Sequence, residues 1–387
     1  MIARIVLLTV LLHMAFASMR MTASLDALAH HADPFEVGLL MGLIALCPMF
    51  LAIACGRWVD RVGSKIPLVL GSLVLFVGAL IPILIPTQRV GLAPLYASCS
   101  LIGIGFMCVH LVSQQLVGHL STAKNRTGAF SLLAMGFAAS GLFSPLISGY
   151  MIDHLGYRWA FGGSFALTAM GFLVFLTLLP NLPAAWGAPK KAGERQRTMD
   201  LLKLPRVRNV LLVSALVSMA WDLQNFMFPV YGHAIGLSAS EIGWLVATFF
   251  SASFLVRFLL PILSHYITEW QFLFGVLVIA CGCYAVFPLF DTLTPLLIIA
   301  FVLGLGLGAS QPNVMSLLHT QTPEGRVGEA LGIRTMLMNA SHTGLPLLFG
   351  VLTGAIGVFW IFMAMAALMG VSSIAVLRRD KDGETND

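Results

Sequence analysis

Long apolar runs recur from Ile5 to Leu377, each about as long as the 20 or so residues a helix needs to cross the hydrocarbon of a bilayer. They fall at 5–28, 37–56, 66–86, 92–116, 128–149 and 160–179, then at 209–233, 241–263, 270–289, 294–317, 328–352 and 355–377. At hydrocarbon depth the backbone must satisfy its own hydrogen bonds, which leaves helices or a closed barrel. Barrel strands alternate apolar and polar residues over segments of about 10 residues, and these runs do not alternate. The expected fold class is therefore an all-α polytopic membrane protein of about twelve helices. Charged residues make up 10% of the chain, against about a quarter in a soluble domain, so lipid rather than water must solvate most of it. The first run follows Arg4 and resembles a signal peptide. No small-residue cleavage site and soluble sequence follow it, so it is read as the first span.

Basic residues are confined to alternate loops. Arg57, Arg61 and Lys65 form one cluster and Lys124 and Arg126 another; the 180–208 segment and the tail at Arg378, Arg379 and Lys381 carry the rest, while the intervening loops hold only Arg89 and Arg158. By the positive-inside rule both termini and the 180–208 loop are expected to be cytoplasmic, in an inner membrane of bacterial type. The net charge of +5 is thus a signal of topology, and no nucleic-acid partner is expected. The expected organisation is a bundle at 1–179, a cytoplasmic linker with Pro180, Pro183 and Pro189 at 180–208, a second bundle at 209–377 and a tail at 378–387.

The two halves echo one another at an offset of about 200 residues. Arg126-Thr-Gly128 opens a helix read as ending near Gly149, followed by Gly156 and Trp159. Arg326-Val-Gly328 opens one read as ending near Gly350, followed by Gly357 and Trp360. Glu36-Val-Gly38 is answered by Glu241-Ile-Gly243, and Gly103-Ile-Gly105 by Gly304-Leu-Gly306. Two pseudo-symmetric six-helix bundles follow, with a substrate site expected where such halves face each other.

After the second run comes Gly56-Arg-Trp-Val-Asp60-Arg61-Val-Gly63-Ser-Lys65. Gly56 would permit close helix approach, Gly63 a tight turn, and Asp60 a charge-assisted bond to an arginine or a helix N-terminus. The pattern resembles the cytoplasmic loop motif of the major facilitator superfamily, where this loop latches the halves in the outward-facing state. Its pseudo-repeat at 261–270 has His265 where Asp60 stands and has lost the glycines and basic residues, so a second latch is degenerate. In the fifth run, Gly141-Leu-Phe-Ser144-Pro145-Leu-Ile-Ser148-Gly149 resembles the antiporter motif of the superfamily's twelve-helix drug/proton efflux branch. Small residues there allow close packing and proline allows a bend. The chain departs from that branch at Cys99-Ser-Leu-Ile102-Gly103, where an arginine and a Gln-Gly would stand. Proton coupling is not expected by that route.

Ionisable groups at membrane depth cost several kcal/mol unless paired or hydrated, which makes them functional candidates. They are Arg20, His110, Asp222, Arg257 and Arg334, with His342 in the same span as Arg334. The duplication aligns Arg20 with Asn225 and His110 with Gln311, and Gln224 adds a further amide. The resemblance places the first, fourth, seventh and tenth helices around a central cavity. Arg20, His110, Asp222, Gln224, Asn225, Arg257 and Gln311 are accordingly the expected substrate-binding set. Gly56, Asp60, Arg61, Gly63, Lys65, Gly141, Pro145 and Gly149 are the expected gating set. The arginine surplus favours an anionic or zwitterionic cargo, since guanidinium grips oxyanions in bidentate fashion. An internal Asp222–arginine salt bridge is the structural alternative, and Arg334, near a helix end, is expected to snorkel to the interface. His110 and Asp222 are the proton-carrying candidates. Trp221, Phe226, Phe228 and Trp244 form a candidate aromatic wall.

Enzymatic chemistry is not expected, because no metalloprotease, Walker-type or nucleophile-elbow stretch is present. The six cysteines lie within the runs without a CxxC pair and read as small packing residues. No cofactor or metal is expected. The resemblance and the charges together imply a monomeric secondary active transporter using protons to export a small organic compound. Proton-linked uptake of an organic acid or other small metabolite is the alternative.

Overall fold

The computed structural model describes residues 1–120, 126–181, 198–263, 267–323 and 327–384. Within these stretches, side chains near 52–61, 118–131, 258–263, 324–332 and after 374 are described only in part. Among the described residues there is no strand. The long helices are α1 (Ile2–Ala29), α2 (Pro34–Val62), α3 (Lys65–Leu84), α4 (Ala93–Leu120), α5 (Arg126–Leu155) and α6 (Tyr157–Leu178), then α7 (Pro205–Ala234), α8 (Ala239–Leu263), α9 (Glu269–Val286), α10 (Leu293–Gly308, continued by Ser310–Gln321), α11 (Val327–Ile356) and α12 (Val358–Glu384). Each expected run corresponds to one long helix with ends shifted by a few residues, except that 294–317 crosses the break at Ala309 and 355–377 begins in the last residues of α11. Ten helices among the described residues are long and apolar enough to cross a membrane by length and composition. The apolar part of α12, Val358–Ile374, is shorter, and α11 carries Arg334, Asn339 and His342.

The duplicated tripeptides have a local physical reason. Asp33 and Glu36 form a reciprocal capping box at the start of α2, with the Glu36 N–H donating to the Asp33 carboxylate at 2.8 Å and the Asp33 N–H donating to the Glu36 carboxylate at 3.0 Å. Ser238 and Glu241 repeat the same exchange at the start of α8, at 3.2 and 2.8 Å. The Gly-x-Gly pairs mark matched close crossings. A Cβ on Gly103 would lie 2.0 Å from the Ile44 carbonyl oxygen of α2, and one on Gly304 would lie 2.3 Å from the Phe249 carbonyl oxygen of α8. Gly105 is held likewise against Leu75 of α3, and Gly306 against Ile279 of α9. Gly156 (φ 87°) and Gly357 (φ 85°) take the same left-handed turn before α6 and α12.

One expectation is corrected. Gly149 and Gly350 do not end their helices, since α5 runs to Leu155 and α11 to Ile356. Gly149 serves a contact instead: a Cβ there would lie 2.4 Å from the Ala239 carbonyl oxygen.

The chain divides into two compact units. One comprises Met1–Lys191 with Pro229–Ala247, the other Ala192–Phe228 with Thr248–Asp387. The first is centred on aliphatic packing of Ile5, Leu8 and Leu12 of α1 against Leu75, Val109, Val112 and Phe175. The second has an aromatic centre, in which Phe287 stacks between Phe228 and Phe362 with 5.1 Å between centroids on each side. Of the candidate aromatic residues, Phe226 and Phe228 are buried in this core, and Trp244 of the first unit is exposed. Leu173, Ile298 and Val371 expose most of their surface, as lipid-facing positions do.

Candidate functional site

In the second unit, α7 carries one polar stripe. Ser214, Ser218 and Asp222 recur every fourth residue and so share a face of the helix. Asp222 is buried, and its Oδ1 lies 2.5 Å from Nδ1 of His342 on α11; His342 is itself 39% exposed. The partner of Asp222 is thus an imidazole, not the arginine of the structural alternative. The second carboxylate oxygen, Oδ2, has no hydrogen-bond partner among the described residues. Two turns away on both helices, Arg334 donates from Nε to the Ser214 hydroxyl at 2.9 Å and from Nη2 to the Gln311 amide oxygen at 2.8 Å. The two α7–α11 pairs, Ser214–Arg334 and Asp222–His342, have the same sequence separation of 120. Arg334 is buried, which corrects the expectation that it snorkels: Ser214 and Gln311 satisfy its donors within the protein. No carboxylate among the described residues pairs with Arg334 or Arg257.

The remaining candidates of this unit separate. Gln224 is fully buried on the face of α7 that also carries Ala220 and Phe228; Tyr284 donates to the Ala220 carbonyl there at 2.6 Å. Neither amide atom of Gln224 has a partner among the described residues. Asn225 is half-buried on the face of Trp221, whose ring meets Phe249 edge-on at 4.9 Å. Arg257 donates from Nε to the Gly308 carbonyl at 3.4 Å. Gly308 ends the first piece of α10, so Arg257 covers one of the carbonyls left open by that break.

In the first unit, Arg20 is half-buried on α1. His110 of α4 stands among the rings of His13, Phe106 and Phe137, its Nε2 2.9 Å from the Gln114 amide nitrogen. Neither His13 nor Asp26 is among the residues named from the sequence. Asp26 is buried, accepts from the Thr87 hydroxyl at 2.6 Å and lies 3.3 Å from His30 Nδ1. The available signal was the i, i+4 spacing of Asp26 and His30 in the last turn of α1.

Gly63 takes the turn expected of it (φ 85°) at the end of α2, and Lys65 opens α3 half-buried. The surroundings of Gly56 and the side chains of Asp60 and Arg61 lie outside what is described, as does His265 of the degenerate repeat. On α5, Gly141, Pro145 and Gly149 are all buried. A Cβ on Gly243 of α8 would lie 2.5 Å from the Pro145 carbonyl oxygen, so within this unit the motif face of α5 meets the start of α8 backbone to backbone. One turn beyond Gly149, the Asp153 carboxylate accepts from the N–H groups of Ala239 at 3.0 Å and Ser240 at 2.7 Å. A carboxylate there satisfies two of the open donors of α8 and faces the positive end of its dipole. Asp153→Ala should therefore cost about 1 kcal/mol, an N-cap's worth, and lower the thermal midpoint by a few degrees, whereas Asp153→Asn should lose less. Equal midpoints for wild type and Asp153→Ala would show the clamp to be energetically idle.

The sequence profile of the Major Facilitator Superfamily matches the chain twice, over residues 5–221 and 210–387. The chain belongs to the major facilitator superfamily. It is a polytopic membrane transporter and not an enzyme. The major facilitator fold is shared with a POT family transporter solved with a thioalcohol-conjugated peptide, at a TM-score of 0.78 and 15% identity, covering 97% of this chain and 96% of that one. A POT family transporter solved with 5-aminolevulinic acid superposes with a TM-score of 0.77 and 15% identity, over 96% of this chain and 94% of that one. A bacterial homologue of the human lysosomal transporter Spinster, inward-facing and unoccupied, superposes with a TM-score of 0.76 and 14% identity, over 97% and 95% of the two chains. No curated protein sequence matches this major facilitator.

Proposed function

We propose that this major facilitator is a proton-coupled exporter of a small organic anion or zwitterion. It would work as a monomer by alternating access of the 1–179 and 209–377 bundles, in a bacterial-type inner membrane with both termini cytoplasmic. The observation that carries the cargo reading is the buried Arg334 guanidinium, whose partners Ser214 and Gln311 are uncharged. A cation held by neutral groups keeps its full charge for an incoming oxyanion, and bidentate geometry favours a carboxylate. Arg20 supplies a second cation, in the first unit. Asp222 and His342 form the only carboxylate–imidazole pair among the described residues of the second unit, and this pair is assigned the coupling proton. The antiporter-like motif of α5 supports export.

Everted vesicles with an acid interior and a pH-sensitive dye test this reading. An exporter exchanging cargo for protons should dissipate the gradient when an organic acid is added outside. Cargo that leaves the gradient untouched removes proton coupling, and cargo that acidifies the lumen further indicates the uptake alternative. In the same assay Arg20→Ala should reduce transport at least tenfold at undiminished expression. Transport at the wild-type rate would take Arg20 out of the site.

A further inference from the structure

We infer that the first unit holds a binding subsite for an aromatic ring bearing a carboxylate, built from His13 and Phe16 of α1, Phe106 and His110 of α4, and Phe137 of α5. The inference rests on the organic-anion reading above and narrows it to aryl acids.

The rings form one connected group. Phe16 stacks on Phe106 at 4.6 Å and 25°, and Phe106 stacks on His110 at 5.6 Å and 28°. Phe137 meets His13 edge-on at 4.8 Å and 75° and tilts against His110 at 5.1 Å. The α1–α5 crossing makes this possible. A Cβ on Gly136 would lie 2.2 Å from the Val10 side chain, so a glycine next to Phe137 lets α5 close on α1.

Exposure distinguishes this group from core. All five rings are half-buried, while their helical neighbours Leu12, Ala15, Val109, Val112 and Ala138 are buried. The aliphatic neighbours pack inward and the connected ring residues keep part of their surface accessible, which leaves π surface for stacking a further ring.

The polar atoms indicate what that ring should carry. The Gln114 amide nitrogen is a donor, so His110 Nε2 accepts from it, and the neutral imidazole then bears its proton on Nδ1. Nδ1 of His110 and Nδ1 of His13 are both buried, and neither has a hydrogen-bond partner among the described residues. The buried Nδ1–H of His110 without an acceptor costs free energy that an oxyanion would recover. Arg20 lies on the same face of α1 as His13 and Phe16, two turns on, and brings the positive charge that a carboxylate needs.

The test uses purified full-length protein in nanodiscs and three probes: 2-naphthoate, its saturated analogue decahydro-2-naphthoate, and the neutral 2-naphthamide. Affinities are read by calorimetry, with thermal stabilisation as the cross-check. The expected result is that 2-naphthoate binds about tenfold tighter than either analogue, the saturated acid lacking the aromatic contacts and the amide the charge-assisted bonds. Phe137→Leu should shrink the naphthoate-to-decahydronaphthoate ratio to about twofold. Equal affinity for the two acids overturns the aromatic subsite and leaves the organic-anion reading standing. Equal affinity for naphthoate and naphthamide overturns the carboxylate assignment. If neither acid binds, the aryl-acid subsite falls, and the organic-anion reading is decided separately by the vesicle assay. The probe series on the wild-type protein decides these outcomes whether or not the variant folds.

Discussion

Asp222→Asn should abolish gradient-driven transport while leaving cargo exchange in place. Asparagine keeps the size of the side chain and an acceptor for His342 Nδ1, but it carries neither charge nor a titrating proton. If the Asp222–His342 pair holds the coupling proton, flux driven by a pH gradient should fall at least tenfold. Counterflow of labelled against unlabelled cargo, which needs no net proton movement, should persist. His342→Gln should reproduce the pattern from the other partner. The thermal midpoint should not fall in Asp222→Asn, because an aspartate charge near the middle of a membrane helix costs about 2.5–3.5 kcal/mol that the amide does not. Wild-type gradient-driven flux in Asp222→Asn would move the proton to another group.

The second large effect concerns folding. Gly103→Leu or Gly304→Leu should leave little monodisperse protein, since even the first carbon of the new side chain would fall 2.0 or 2.3 Å from a backbone carbonyl oxygen of the facing helix. A backbone atom cannot step aside as the end of a flexible side chain can, so the helices must part, at a cost of about 3 kcal/mol or more. Gly282→Ala is the matched control, because a Cβ there meets nothing within 4 Å. It should be neutral or stabilising, since glycine inside a helix costs up to about 1 kcal/mol relative to alanine. Size-exclusion profiles and thermal midpoints in detergent read both results. Equal yields for Gly304→Leu and Gly282→Ala would show that the α8–α10 crossing is not tight.

These two sites also show how far the residues speak in one dimension. The helices were legible because the bilayer sets a length that an apolar run either meets or does not. The duplication was legible because capping boxes and close crossings demand particular residues at particular steps, as Glu36 and Glu241, or Gly103 and Gly304, do. Partnership was not legible. His342 shares a span with Arg334, and only the rotation of α11 about its axis, set by packing, turns it toward Asp222. Arg334 looked like a residue free to reach the interface because its satisfaction depends on Ser214 and Gln311 from two other helices. Gly149 was misread as a stop for a related reason. A missing side chain serves a turn or a contact equally well, and the sequence does not say which. The thiols of Cys55 and Cys108, 3.3 Å apart across α2 and α4, were likewise invisible to spacing along the chain.

The equal separation of the two α7–α11 pairs has a mechanical consequence. Ser214–Arg334 and Asp222–His342 span the same two helices about 12 Å apart along their axes, at a rise of 1.5 Å per residue. Sliding one helix against the other by a single residue would break both links at once, and so would turning one of them. An oxyanion that draws Arg334 away from Ser214 would therefore loosen the same clasp that holds the carboxylate to the imidazole. Protonating Asp222 would in turn make Arg334 easier to draw off. Two sites that share one clasp trade free energy in both directions and by equal amounts, so cargo and proton are energetically linked through α7 and α11.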